Sequence, residues 1–216
     1  MSKLRLDDLT AIVLAGGRSA RFGSDKLAVE VDGVALLHRA LAAVDAVASE
    51  IVIVVAPGGT VIIPAGLAAR VRVVHDPEAF GGPLIGLATA LDVVAAGVAI
   101  VVGADMPRMV PAVLHRLAAA VGPRRAATSL EVPGRVQPLP MAVDAEAARD
   151  AVQLVLDRGG RSLRDLLREL EATAVPAPVW LALDPTGATI ADIDRPADLE
   201  PRSGDAGPRP PRPTAR

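Results

Sequence analysis

The stretch VLAGGRSARFGSDK, residues 13–26, carries the side chains of this sequence that are best suited to chemistry. Two adjacent glycines, Gly16 and Gly17, follow a short apolar run and would let a ligand approach the backbone closely. Three cations follow in the same loop: Arg18, Arg21 and Lys26. A glycine-rich loop after a parallel strand is a common phosphate site, because its backbone N–H groups point at the anion. The loop is therefore predicted to hold a triphosphate, and the alternative is a surface loop whose arginines are solvated.

The spacing within this loop excludes two well-known phosphate-binding motifs. A P-loop needs lysine directly after glycine and before serine or threonine, whereas Lys26 has an aspartate before it and a leucine after it. The dinucleotide-binding fingerprint needs G-x-G-x-x-G, but Gly16 and Gly17 are adjacent and the next glycine is Gly23. Lysine occurs only at positions 3 and 26 among 23 lysines and arginines, which indicates that a guanidinium would not serve at Lys26.

A carboxylate is placed at the end of another apolar run. Asp105 follows residues 98–102 and precedes Pro107, which prevents the strand from continuing. In an open α/β sheet this is the carboxyl end of a strand, where such sheets bind their ligands. A carboxylate is also a hard oxygen ligand that suits Mg²⁺ bound together with phosphate oxygens. Asp105 is therefore a candidate metal ligand, and the alternative is an aspartate that caps a helix or a turn.

Three further carboxylates could face the same cleft. Asp192 and Asp194 alternate with isoleucines before a helix start at Pro196, so one is expected to face the cleft while the other caps the helix. The pattern leaves open which. Asp76 and Gly82 follow the third predicted strand, where glycine allows close backbone approach. An ionised Asp76 could accept both N–H groups of a guanine edge, and contact with ribose or a plain turn is the alternative.

The cysteine and histidine content argues against an enzyme that uses a cysteine nucleophile or a catalytic histidine. The chain has no cysteine, and its three histidines, at positions 38, 75 and 115, are expected to be structural. A phosphate acceptor is already an anionic nucleophile, so a reaction on phosphates needs no activated hydroxyl or thiol. Any metal should sit on oxygen ligands.

The composition of the chain indicates which partners and which cellular compartment to expect. The formal net charge is −2 and the aromatic residues are two Phe and one Trp, so neither attraction to phosphates nor base stacking favours nucleic acid. No run approaches the roughly 18 consecutive apolar residues of a membrane span, and charges stand where a signal peptide is apolar. We therefore expect a cytoplasmic protein without nucleic-acid or membrane partners.

The elements that position these residues alternate between short Val/Ile-rich runs and longer Ala/Leu-rich stretches. This alternation is typical of an α/β chain, and it predicts a three-layer αβα sandwich with a mostly parallel, Rossmann-like sheet. Strands are predicted at 10–15, 50–56, 71–75, 98–103 and 179–183, with a hairpin of 126–132 and 137–143. Helices are predicted at 35–48, 83–95, 111–121, 145–156 and 162–170, the last capped by Ser162. One domain is expected over residues 1–200, followed by a disordered Pro/Arg-rich tail at 201–216.

The loop resembles the signature of a known family. L-A-G-G-x-S-x-R-F-G-x-D-K, from Leu14 to Lys26, is similar to nucleotidyltransferases with a dinucleotide-binding-like fold, and most similar to molybdenum cofactor guanylyltransferases. Four more segments resemble the family in the same order: DPEAFGGPLIGL at 76–87, GADMP at 103–107, GGRSL at 159–163 and IADIDRPADL at 190–199. The resemblance covers residues 10–199. The last segment departs from the family, which often has asparagines where this chain has Asp192 and Asp194.

The resemblance implies a nucleotide-diphospho-sugar transferase-like fold and an Mg²⁺-dependent reaction. GMP would pass from GTP to the terminal phosphate of molybdopterin or its molybdenum form, and pyrophosphate would leave. Implied partners are these substrates and proteins that mature molybdoenzymes. Two alternatives stay open: a transferase that uses CTP or another phosphorylated acceptor, and a nucleotide-binding regulator without turnover.

The resemblance and the loop chemistry together assign roles to individual residues. Nucleotide contacts are expected from Leu14, Ala15, Gly16, Gly17, Arg18, Ser19, Lys26, Asp76, Gly82 and Asp105. The catalytic residues would be Lys26, Arg21 and Asp105. The metal ligands would be Asp105 and Asp194. The acceptor contacts would be Arg161 and Asp192.

The base is predicted from a single position. Guanylyl-transferring relatives carry Leu-Ala-Gly-Gly where cytidylyl-transferring ones tend to carry Leu-Ala-Ala-Gly, and this chain has Gly16. Glycine lets the loop turn into space that a side chain would fill, which leaves room for a bicyclic purine. GTP is therefore the expected donor.

Overall fold

Seven strands form the central sheet of the computed structural model, which describes residues 9–16, 29–31, 33–78, 81–95 and 97–193, with backbone alone at 135 and 136. These strands are β1 (Leu9–Leu14), β4 (Glu50–Val55), β5 (Arg70–His75), β6 (Val98–Gly103), β7 (Ala127–Val132), β8 (Arg135–Asp144) and β9 (Thr173–Val175). A separate two-stranded ladder is formed by β2 (Glu30–Val31) and β3 (Val34–Ala35).

Helices cover both faces of the sheet. They are α1 (Leu36–Asp45), α2 (Pro83–Leu91), α3 (Pro111–Ala118), α4 (Ala145–Asp157), α5 (Leu163–Glu169) and α6 (Ala177–Leu181), with a 3₁₀ turn at Ala188–Ile190. One core lies between the sheet and α1, α3 and α6, and the other lies between the sheet and α2, α4 and α5. In β1, Ala11 and Val13 face the first core while Ile12 faces the second. A strand buried on both faces reads as a continuous apolar run, so the predicted α/β sandwich is confirmed.

The strand order places one crevice at the centre of the sheet. The order is β5-β4-β1-β6-β8-β7-β9, and the first four strands are parallel to one another. Strand β8 runs antiparallel to both of its neighbours, and β9 is parallel to β7. The chain winds outward from β1 to β4 and β5 and then returns to β6 on the other side of β1. The direction of winding therefore reverses between β1 and β6.

Most predicted elements are found close to their predicted bounds. The hairpin is formed by β7 and β8, which pair antiparallel. The backbone N–H of Asp165 donates to the hydroxyl of Ser162 at 3.2 Å, so Ser162 caps α5 as expected. Helices α1 and α3 end three residues earlier than predicted, at Asp45 and Ala118.

The strand predicted at 179–183 is wrong, because α6 occupies most of this segment. Pro178 lies in the first turn of α6, where a missing N–H costs little and a fixed φ favours the helix. Trp180 is buried, and its indole N–H donates to the carbonyl of Glu131 at 2.8 Å. The edge strand is instead the three-residue β9, which precedes α6.

Some expectations concern parts of the chain that the structure does not describe. The predicted domain end at residue 200 and the tail at 201–216 lie outside the described residues. In the ranges that are described, no helix combines the length and the hydropathy needed to cross a bilayer.

Candidate functional site at the carboxyl edge of the sheet

The glycine segment leaves the sheet where the winding reverses. The N–H of Ala15 donates to the carbonyl of Val54 in β4 at 2.8 Å, and the N–H of Ala104 donates to the carbonyl of Leu14 at 3.1 Å. This segment therefore lies between the carboxyl ends of β4 and β6. Open α/β sheets bind ligands in the crevice at such a switch point. Three predicted nucleotide contacts, Leu14, Ala15 and Gly16, lie at this crevice.

Gly16 is exposed at the mouth of the crevice, and its described neighbours leave room for a side chain. A Cβ built on Gly16 would lie 3.6 Å from the backbone nitrogen of Ala56, an ordinary van der Waals contact. The φ angle of Gly16 is outside the left-handed region that favours glycine. Against the part of the chain that the structure describes, a methyl group at this position therefore meets neither backbone strain nor a clash.

The carboxylate of Asp105 is held against the end of β6. Asp105 is half-buried and follows β6 by two residues. A Cβ built on Gly103 would lie only 2.5 Å from Oδ1 of Asp105, so the carboxylate occupies space that glycine leaves free. The N–H of Gly103 donates to the sulfur of Met106 at 3.4 Å, which tightens the same turn. The sequence-predicted position of Asp105 at the carboxyl end of a strand is confirmed.

The C-terminal segment, residues 184–194 of the sequence and described as far as Ile193, runs beside this carboxylate. The N–H of Ile193 donates to the backbone carbonyl of Asp105 at 3.0 Å. Asp192, which directly precedes Ile193, is exposed, so the structure brings this predicted acceptor contact beside Asp105. Asp194 follows Ile193 in the sequence but lies outside the described residues. The choice between Asp192 and Asp194 as metal ligand therefore stays open.

These donors fit a magnesium ion that is bound together with a nucleotide. Mg²⁺ is usually held by one or two carboxylates plus substrate phosphates, and seldom by an all-protein cage. Among residues that the structure describes, no group of three or more His, Asp or Glu side chains could hold a metal by itself. Asp105 and one carboxylate from the adjoining C-terminal segment would supply the donor set that the first arrangement needs.

Asp76 lies at the end of β5, on the α2 side of the crevice. Its N–H donates to the carbonyl of Val55 at 2.8 Å, and its Oδ1 accepts the N–H of Glu78 at 3.1 Å. Its Oδ2 would lie 3.4 Å from a Cβ built on Gly86, and Leu14 approaches the same point. One carboxylate oxygen therefore stabilises a turn, and the other faces the start of α2.

Gly82 and Arg161 are also brought together, although they are distant in sequence. Gly82 caps α2 with φ 96°. A Cβ built on Gly82 would lie 3.0 Å from the carbonyl oxygen of Arg161. The guanidinium of Arg161 lies 3.8 Å from the carboxylate of Glu78, and both side chains are exposed. The sequence analysis assigned no role to Glu78, although the residue lies within the quoted segment at 76–87.

We expect Gly82→Ala to lower the free energy of unfolding by about 2–4 kcal/mol. Strain at a glycine-only backbone position costs about 1–3 kcal/mol, and the close approach to Arg161 adds to it. Gly66→Ala is the matched control, because Gly66 has φ 87° and no atom within 4 Å of its added Cβ. Urea denaturation should show a larger loss for Gly82→Ala than for Gly66→Ala. Equal losses would contradict the packing of Gly82 on Arg161.

A buried aspartate that the sequence analysis did not single out fixes the C-terminal segment. Asp184 is 2% exposed and accepts the N–H of Thr189 at 2.7 Å and the hydroxyl of Thr186 at 2.9 Å. Burial raises the pKa of the Asp184 carboxyl, but hydrogen bonds from Thr189, Thr186 and Ala188 outweigh burial and hold this pKa below its ordinary value. The available signal was DPTG at 184–187, a turn pattern that begins with aspartate.

Asp184→Asn should lower the free energy of unfolding by about 1–3 kcal/mol at neutral pH, because charge-assisted hydrogen bonds are lost. A carboxyl with a depressed folded-state pKa contributes stability above its unfolded pKa of about 3.9, and this contribution disappears as pH falls through the folded-state pKa. The difference between wild type and variant should therefore be full at pH 7 and shrink below about pH 4. Denaturant titrations across this range measure it, and a pH-independent difference would contradict the assignment.

Two histidines make structural contacts at the same edge of the sheet. Nε2 of His38 donates to the carbonyl of Ile62 at 2.9 Å, and Nε2 of His75 donates to the carbonyl of Gly59 at 3.1 Å. Both bonds tie the segment between β4 and β5 to its neighbours, which fits the expected structural role. Six predicted site residues lie outside the described residues: Gly17, Arg18, Ser19, Arg21, Lys26 and Asp194.

A mostly parallel αβα sheet with a glycine segment and an aspartate at its switch point defines a nucleotide-binding α/β protein. Residues 11–174 match the family described as the MobA-like NTP transferase domain. A relative from Chloroflexus aggregans, named probable molybdenum cofactor guanylyltransferase, is 32% identical over 198 residues, covering 89% of this chain and 92% of the relative. The chain belongs to the MobA-like NTP transferase family, and it is an enzyme of the nucleotidyltransferase class.

This fold is also found in solved structures, of which two have names that refer to different nucleotides. The molybdopterin-guanine dinucleotide biosynthesis protein A of Archaeoglobus fulgidus has a TM-score of 0.68 at 22% identity, covering 88% of this chain and 94% of that chain. The 2-C-methyl-D-erythritol 4-phosphate cytidylyltransferase of Thermus thermophilus has a TM-score of 0.63 at 22% identity, with the same coverage of 88% and 94%. Because one name refers to guanine and the other to cytidylyl transfer, the fold alone does not decide the base.

Proposed function

We propose that this enzyme transfers GMP from GTP to the terminal phosphate of molybdopterin or of its molybdenum form. An oxygen of the acceptor phosphate attacks the α-phosphorus of GTP, the bond to the β-phosphate oxygen breaks, and pyrophosphate leaves. The nucleophile is already ionised, so no general base is needed. The observation that carries the proposal is the meeting of the glycine segment and Asp105 at the switch point, in a chain of this family.

The loop after β1 would bind the triphosphate. The β- and γ-phosphates, and the pyrophosphate that leaves, would be held by three cations, Lys26, Arg18 and Arg21. The backbone N–H groups of Gly17 and Ser19 would bind the same phosphates. Lys26 and Arg21 would also stabilise charge that develops in the transition state. This arrangement relies on alignment and electrostatics, which suffice for phosphoryl-type transfer.

Asp105 and a carboxylate of the C-terminal segment would hold Mg²⁺ near the α-phosphate. Family resemblance favours Asp194, and the contact between Ile193 and Asp105 supports a ligand from this segment. Bound Mg²⁺ supplies charge neutralisation on the reacting phosphate. The protein's own part is to hold the carboxylates still, since Gly103 leaves a fitted space for Asp105.

The base and the acceptor would be held by different residues around the reacting phosphate. Asp76 would accept the N–H groups of the guanine edge, with Leu14, Ala15 and Gly82 close by, because one of its oxygens already faces the α2 side of the crevice. Arg161 and Asp192 would contact the acceptor. Arg161 is exposed at the turn between α4 and α5, where a phosphorylated ligand could reach it.

The direct test is to incubate the enzyme with molybdopterin, Mg²⁺ and each of the four nucleoside triphosphates in turn. Mass analysis should find a GMP adduct and pyrophosphate with GTP. A CMP adduct in place of the GMP adduct would favour the cytidylyl alternative. Nucleotide binding without any adduct would favour the regulator.

Gly16→Ala is expected to erode the use of GTP more than it creates use of CTP. The methyl group fits against the backbone of Ala56 without strain, so its effect should fall on the bound base and not on folding. We expect kcat/KM for GTP to fall while the midpoint of thermal unfolding stays within about 2 °C. A variant with unchanged kcat/KM for GTP would remove Gly16 from base selection.

A further inference from the structure

Two buried polar side chains join the C-terminal segment to the loop that carries Asp105. Thr189 is fully buried, and its Oγ1 accepts the backbone N–H of Val110 at 3.0 Å. The backbone N–H of Thr189 donates to the carboxylate of Asp184 at 2.7 Å. A relay therefore runs from the N–H of Val110 to the hydroxyl of Thr189, and from the backbone N–H of Thr189 to the Asp184 carboxylate.

This relay fastens one end of the Asp105 loop, and a second bond fastens the other end. Val110 is the N-cap of α3 and closes the loop that begins after β6. At the start of the loop, the carbonyl of Asp105 accepts the N–H of Ile193. The segment from Asp184 to Ile193 therefore spans the loop and touches both of its ends.

We propose that Asp184 and Thr189 are positioning residues for the divalent cation that is bound with the nucleotide. They hold the C-terminal segment against the Asp105 loop, so that the carboxylates of both segments meet the cation without rearrangement. This inference rests on the proposed function, in which Asp105 is a metal ligand. Side chains that orient metal ligands without touching the metal typically change metal affinity by roughly 10–100-fold when they are replaced.

Two substitutions of Thr189 distinguish a positioning role of its hydroxyl from a role in packing alone. Valine has the shape of threonine but cannot accept the N–H of Val110. Serine keeps the hydroxyl and loses only a methyl group. Thr189→Val should therefore lose the positioning, and Thr189→Ser should retain most of it.

The chain offers a matched control at Thr128 in β7. Thr128 is fully buried, and its hydroxyl donates to the carbonyl of Leu117 in α3 at 2.9 Å. Thr128→Val removes a buried hydroxyl of similar hydrogen-bond length, whose partner lies in α3 and not in the Asp105 loop. It reproduces the loss of stability without the loss of positioning.

The test measures the affinity for α,β-methylene-GTP by calorimetry, with Mn²⁺ and with chelator, in the full-length protein. In the wild type, Mn²⁺ should tighten binding of the analogue. In Thr189→Val this metal-dependent gain should shrink by roughly 10–100-fold, while its affinity for the analogue in chelator stays near that of the wild type. Thr189→Ser and Thr128→Val should keep a metal-dependent gain close to that of the wild type. Asp184→Asn is the second variant if Thr189→Val does not fold, and it should behave in the same way.

Two results would overturn the inference. One is an equal metal-dependent gain in Thr189→Val and Thr128→Val, and the other is a wild type that binds the analogue equally with and without Mn²⁺. Neither result bears on which product forms. The proposed function fails only if the wild type gives no GMP adduct with molybdopterin, so the two failures are distinguishable.

Discussion

Asp105→Asn should reduce metal-dependent turnover by roughly 100–1,000-fold, the loss typical when a group that stabilises transition-state charge is removed. Asparagine keeps the shape that fits beside Gly103 but loses the negative charge that a divalent cation needs. Because Asp105 is half-buried at a cleft and outside both cores, the free energy of unfolding should change by about 1–2 kcal/mol or less. Steady-state kinetics over a Mg²⁺ titration, with denaturant unfolding alongside, measures both effects.

Asp45→Asn is the matched control for this variant. Asp45 ends α1 and accepts the N–H groups of Ala68 and Ala69 at 3.1 and 2.7 Å, just before β5 begins at the opposite edge of the sheet. It should lose stability and keep turnover. If Asp105→Asn unfolds the protein while turnover per folded molecule is preserved, Asp105 is a structural aspartate.

Lys26→Met is the second change with a large expected effect. It removes a compact positive charge from the loop proposed to hold the triphosphate, and kcat should fall by roughly 100–1,000-fold. Lys26→Arg should recover little, because a planar guanidinium places its charge differently from an ammonium. The measurement is single-turnover GMP transfer at saturating GTP, which separates the chemical step from binding.

Lys3→Met is the natural control, since Lys3 is the only other lysine in the sequence. It removes the same charge far from the loop in sequence and should leave the rate unchanged. A near-normal rate in Lys26→Met would remove Lys26 from the mechanism.

The secondary structure at the centre of the sheet could be predicted because its central strands are buried on both faces. Residues 98–103 read as a continuous apolar run, and β6 occupies the same residues. The position of Asp105 followed from the end of this run. The strand predicted at 179–183 failed because Val/Leu-rich residues fit a helix as well as a strand, and the buried contact of Trp180 decided between them.

The contacts that assemble the site could not be predicted, because they join residues far apart in the chain. Thr189 and Val110 are 79 residues apart, and no periodicity relates them. The packing of Gly82 on Arg161 depends on where the turn between α4 and α5 lies over α2. Sequence patterns predict which residue types could bind a ligand and where strands end. The contacts between distant residues are seen only in the tertiary structure.

The central claim is the identity of the transferred nucleotide, and kcat/KM for GTP and CTP on the same molybdopterin acceptor tests it most directly. A guanine edge that pairs with Asp76 should favour GTP by a wide margin, since each buried polar group left unpaired by cytosine costs about 1–3 kcal/mol. We predict a kcat/KM for GTP at least about 10-fold above that for CTP. Equal or higher efficiency with CTP would contradict the guanylyl assignment.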